Sequence, residues 1–150
     1  MIRRFKFEGD IAESLDFVPM AVRRKLDRIG LWIELTQWRA LPRSDRLAIC
    51  HLPSNLEEER EALALFIHDA VARVGGEPTE LSPEVQEQAE PPSAPPENLV
   101  ARAAELGFSL TPAVWTRLDA DERYALLKLG SGQDASPELA AALKEIVVLS

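Results

Sequence analysis

The sequence predicts a mainly α-helical protein: two internally repeated units of short helices, 77 residues apart and sharing a core, with a Pro/Glu-rich linker between them and room for a short N-terminal strand. Three observations carry that expectation. Apolar residues recur at helical spacing, glycines and prolines punctuate the recurrences, and the skeleton of residues 30–52 returns at 107–129 without a gap. The N-terminal arm and first repeat are expected over 1–76, the linker over 77–98 and the second repeat over 99–150, as one compact domain overall.

In RFKFE, residues 4–8, Phe5 and Phe7 alternate with charged residues, the period of a short strand or an extended arm laid on the core. Pro19 suits the first turn of a helix, where its missing N–H costs nothing. Val22, Leu26 and Ile29 then form one apolar stripe, and Gly30 is placed to end that helix in a left-handed cap. LWIEL is a short extended link, followed by a brief helix at Trp38 that Pro42 closes. RSDRLAICHL reads as another helix, stopped by Pro53. The clearest helix starts at EEER, where acidic residues suit the positive end of the dipole. Leu63, Phe66, Ile67, Ala70 and Val74 form its stripe, and Gly75-Gly76 ends it.

Composition then changes. Residues 77–98 hold six of the eleven prolines and six glutamates, with no Lys, Arg or aromatic. So little apolar surface does not offset the entropy of ordering, and the segment reads as a semi-extended linker. Beyond it, NLVARAAELG repeats the helix before Gly30. Thr111 with Pro112, and Asp119 with Glu122, have the pattern of helix N-caps. The closing IVVLS is read as leaving the last helix as a strand beside RFKFE.

The repeat pairs Gly30 with Gly107, Trp38 with Trp115, Leu41 with Leu118 and Arg46 with Arg123, and also Ala48 with Ala125 and Leu52 with Leu129. A Trp and an Arg eight residues apart can make a cation–π contact or bind a ligand anion. Presence in both copies favours packing: tryptophan as a core pin, arginine as a brace on the adjoining turn.

A formal charge of −8 argues against nucleic-acid binding, which needs a basic face to displace counterions. No apolar run is long enough for a membrane span. The lone cysteine, Cys50, fits a reducing compartment, and the protein is expected in the cytoplasm. Cys50 and His51 are adjacent and so point about 100° apart on a helix; with His68 on another helix they do not form a zinc set. No P-loop, GxGxxG fingerprint or paired carboxylates stand out, and neither a catalytic residue nor a metal ligand is assigned. The candidate site is the basic cluster Arg23, Arg24, Lys25 and Arg28, a surface for an acidic partner or a phosphate group, or else the polar face of an amphipathic helix.

Residues 5–38 resemble the nitrate reductase-associated protein family. The likeness lies in Phe5, Phe7, Glu8, Ser14, Leu15, Pro19, Met20, Val22, Arg23, Lys25, Leu26, Asp27, Gly30 and Trp38. Trp115, Leu118, Arg123, Ala125, Leu126, Lys128 and Leu129 extend it, as does Leu-Lys-Glu at 143–145. The resemblance implies association with assimilatory nitrate reductase and molybdenum-cofactor enzymes. The expectation is a non-catalytic accessory factor for maturation or molybdopterin acquisition, with no stably bound cofactor and molybdopterin at most a transient ligand. The alternative is a helical protein- or anion-binding module unrelated to nitrate reductase.

Overall fold

Local stop signals set most helix ends in the computed structural model of the chain, which describes residues 3–131 and 137–148. The chain forms two compact units, one of Met1–Arg4 with Glu8–Ala89 and one of Phe5–Phe7 with Glu90–Ser150.

The first unit holds α1 (Ile11–Ser14), α2 (Met20–Ile29), β1 (Leu31–Trp32), α3 (Leu35–Ala40), α4 (Arg43–His51), α5 (Glu57–Arg73), β2 (Thr79–Glu80) and α6 (Pro83–Glu87). Pro19 is the N-cap of α2, one position before the site its fixed φ suggests. The Gly30 N–H closes α2 on the carbonyls of Leu26 and Asp27 at φ 76°, a conformation that costs a side chain but not glycine. Glu34 starts α3, its N–H bonded to the Gln37 side chain at 2.9 Å. At the head of α5, the Glu59 carboxylate accepts from the Asn55 and Leu56 N–H groups. The core gathers Leu15, Val22, Leu26, Ile33, Trp38, Ile49, Leu63 and Ile67, all at most 1% exposed. Phe66 and Val74, assigned to the α5 stripe, are only partly buried against it, and Val71 takes a core position instead.

The second unit holds α7 (Glu97–Glu105), α8 (Pro112–Arg117), α9 (Ala120–Leu129) and α10 (Pro137–Leu143), which runs into a π-helical turn at Lys144–Val148. Thr111 caps α8, accepting from the Val114 N–H at 3.1 Å. Asp119 and Glu122 form the reciprocal capping box of α9. Leu99, Trp115, Leu126, Leu139 and Leu143 are among its buried residues, and α10 packs on α9.

Three expectations need correction. No strand forms over residues 4–8: Lys6–Glu8 is a 3₁₀ turn, Phe5 and Phe7 stack at 5.1 Å, and the Phe7 N–H donates to the Glu145 carboxylate. Alternation alone does not make a strand, because a strand needs an edge to pair with. The C-terminal strand does not form either, since residues up to Val148 stay helical; Leu149 and Ser150 lie outside the described residues. Nor is 77–98 a semi-extended linker. β2 pairs antiparallel with β1, Leu31 opposite Glu80 and Trp32 opposite Thr79, α6 packs on α2, and Ala89 is 1% exposed. The segment orders because its few apolar residues and its backbone find partners on β1 and α2. The boundary between the units falls inside it.

Candidate functional site

The four basic residues on α2 are each engaged within the first unit. Lys25 aims its ammonium at the end of α4, where Nζ donates to the carbonyls of Ile49 (3.2 Å), Cys50 (2.5 Å) and Leu52 (2.7 Å). The last turn of a helix carries unsatisfied carbonyls and the negative dipole end, so a cation there is stabilised twice over. Arg24 donates from Nε to the Ala89 carbonyl at 2.9 Å, which ties α2 to the residues after α6. Arg28 bonds the Asn55 side chain at 3.1 Å, and Arg23 lies over the Trp32 ring at 5.7 Å. Arg4 pairs with Glu13. Sequence reasoning found the cluster but not its partners, because most of them lie 24 to 65 residues away.

Burial pushes the Cys50 thiol up from its ordinary value, and the charges of Lys25, Arg4 and Arg43 pull it part of the way back. Burial also lowers the Lys25 ammonium, opposed by Cys50. A buried thiol held protonated is a poor nucleophile. His51 and His68 are exposed, and among the described residues no three His, Cys, Asp or Glu side chains group as metal ligands.

The two Trp–Arg pairs fasten chain segments. Trp38 is fully buried, and its indole N–H donates to the Leu15 carbonyl at 2.8 Å. Arg46 donates to the same oxygen, also at 2.8 Å. Leu15 sits at φ 56°, so two donors converge on a residue in a conformation few side chains adopt. In the second unit the Trp115 indole donates to the Pro92 carbonyl at 2.9 Å. Arg123 lies 5.7 Å over the Trp115 ring and bonds the carbonyls of Trp115 and Thr116. Leu41 and Leu118 are buried beside their tryptophans' helices.

One feature of the second unit escaped the sequence. An apolar groove of about 550 Å³ runs along α7 and the residues before α8, and Glu97, Val100, Ala101, Ala104, Phe108 and Ser109 are among its lining. Ala101 and Ala104 are exposed. The signal was present in ENLVARAAE, whose small apolar residues extend beyond the single stripe that Leu99 and Ala103 bury.

Fold and site together define a small, mainly helical scaffold whose described polar side chains chiefly fasten its own backbone, with an open apolar groove along α7. The match to known families covers residues 4–146 and is to the conserved nitrate reductase-associated proteins. The chain belongs to that family. No curated protein and no solved structure matches it. Among the described residues no helix is long and apolar enough to cross a membrane.

Proposed function

We propose that this protein is a non-catalytic accessory factor for assimilatory nitrate reductase, acting in the cytoplasm by protein–protein contact to aid the enzyme's maturation or its acquisition of molybdopterin. Family membership over residues 4–146 carries the reading. The role of α2 is to hold the first unit together: its cations serve the α4 carbonyls, Ala89, Asn55 and Trp32. With those cations already occupied by partners of the first unit, the ligand in this reading is the enzyme rather than a free pterin phosphate. The same reading takes the two units as copies of one helical design. It is supported by α3 and α8, which begin and end 77 residues apart, and by tryptophans that each bond a carbonyl 23 residues upstream.

Deleting the gene and measuring nitrate reductase activity per amount of reductase protein tests the proposal. The expected result is a lower specific activity, restored by the intact gene. Unchanged specific activity overturns it.

A further inference from the structure

The groove on α7 has a counterpart in the first unit, 77 positions earlier, and there it is covered. The residues corresponding to Val100, Ala101, Ala104 and Gly107 are Arg23, Arg24, Asp27 and Gly30. Over that face lie β2, paired with β1, and α6, packed on α2. The Leu81 N–H bonds the Gly30 carbonyl, and the Gln86 side chain sits so close that a Cβ on Gly30 would come within 2.8 Å of it. In the second unit a Cβ on Gly107 would meet no described atom within 4 Å. Asp27 is 3% exposed, whereas Ala104 is open.

Charge decides what kind of segment belongs there. In the first unit an acidic segment, with Glu80, Glu84 and Glu87, lies over a face that carries Arg23 and Arg24. In the second unit those arginines are replaced by Val100 and Ala101, and the ionisable residue lining the groove is Glu97. A second copy's 79–89 segment would bring three carboxylates to an apolar face edged by a fourth, with no cation among the described lining residues to meet them. We propose that the α7 groove docks a short extended-then-helical segment of a partner protein, apolar on its buried side and carrying a lysine or arginine that meets Glu97. Its backbone would run beside Phe108 and Ser109 as β2 runs beside Leu31 and Trp32, a form of strand addition. The inference rests on the reading of the protein as a binding factor, though not on the partner being nitrate reductase.

Two 11-residue peptides serve as probes: the chain's own TELSPEVQEQA, residues 79–89, and the same peptide with its three glutamates replaced by lysine. Each is titrated into the full-length protein labelled with ¹⁵N. The lysine peptide is expected to shift amides of residues 100–109 saturably and to bind at least tenfold more tightly than the acidic one. Glu97→Lys should reverse that preference. Ala104→Arg should weaken binding at least tenfold with the unfolding midpoint unchanged, and Ala101→Lys on the same exposed face repeats the test if the first variant does not fold. Equal affinities, no shifts in 100–109, or binding insensitive to both variants overturns the proposal. Self-association abolished by Ala104→Arg also overturns it, and assigns the groove to a second copy. Peptide binding without recovery of nitrate reductase on a full-length bait keeps the groove and removes that partner. Reductase recovered equally by Ala104→Arg keeps the partner and removes the groove.

Discussion

The tryptophan of each unit reaches back 23 residues for a carbonyl, but the arginine eight positions on makes different use of its charge. In the first unit Arg46 joins Trp38 on the Leu15 oxygen. In the second, Arg123 turns onto the end of α8 and leaves the Pro92 oxygen to Trp115. The second difference lies on the surface: the first unit covers its α2 face with β2 and α6, and the second leaves its α7 face open and apolar. A buried aromatic pin tolerates little change, whereas a guanidinium on a long stem can cap either of two nearby carbonyl sets.

The largest effects should come from the pins. Trp38→Ala or Trp115→Ala should destabilise the protein by about 3–5 kcal/mol through loss of a fully buried indole, read by denaturant unfolding. A sharper comparison uses double-mutant cycles. Trp38→Phe with Arg46→Met should be non-additive by about 0.5–3 kcal/mol, because two donors share one acceptor. The cycle of Trp115→Phe with Arg123→Met should show a smaller coupling at the carbonyl. Equal couplings in the two units would break the distinction.

Next comes Lys25→Met, which strips three carbonyls at the end of α4 of their donor and should cost about 1–3 kcal/mol. Hydrogen exchange at 49–52 should rise more than in α9, which starts 77 residues after α4.

Smaller still, Gly30→Ala and Gly107→Ala should each cost about 1–2 kcal/mol for a side chain in the left-handed region. Gly30→Ala should cost more of the two, and should loosen α6, because its Cβ meets Gln86. Equal losses would mean that Gln86 moves aside freely.

The smallest effect is a pH dependence. The folded Cys50 pKa is raised by burial, so its contribution to stability is full below the unfolded thiol value of about 8.5 and is lost as pH climbs through the folded one. Lys25, lowered by burial, has the opposite slope between its lowered folded value and its unfolded one. The stability of the native protein relative to Cys50→Ala should therefore fall as pH rises past 9, measured by thermal unfolding. A difference that stays flat from pH 7 to 10 would refute this.

Sequence legibility followed the range of the interactions. The ends of α2, α8 and α9 were readable because Gly30, Thr111-Pro112 and Asp119–Glu122 act on their own helices. The fold of 77–98 was not, although Ser82-Pro83 is a cap and N1 pair, and its Val85 N–H contact at 3.4 Å is there. Average composition outweighed that local signal, and the partners on α2 lie far away in sequence. The position of the basic cluster was legible for the same reason that its employment was not: periodicity locates a face but does not say which backbone carbonyls will come to it. The α7 groove stayed hidden because an alanine under a neighbour and an alanine in solvent have the same letter.

The membership of Phe5–Phe7 in the second unit has a consequence for synthesis. The bond from the Phe7 N–H to Glu145 spans 138 residues. As the chain leaves the ribosome, residues 8–89 can fold while these three wait, and their place is completed only once the last helices emerge. Closing so long a loop is entropically slow. A nascent chain halted before Glu145 thus lacks the acceptor of the Phe7 N–H, and the N-terminal aromatic pair reaches its place only after the last helices have left the ribosome.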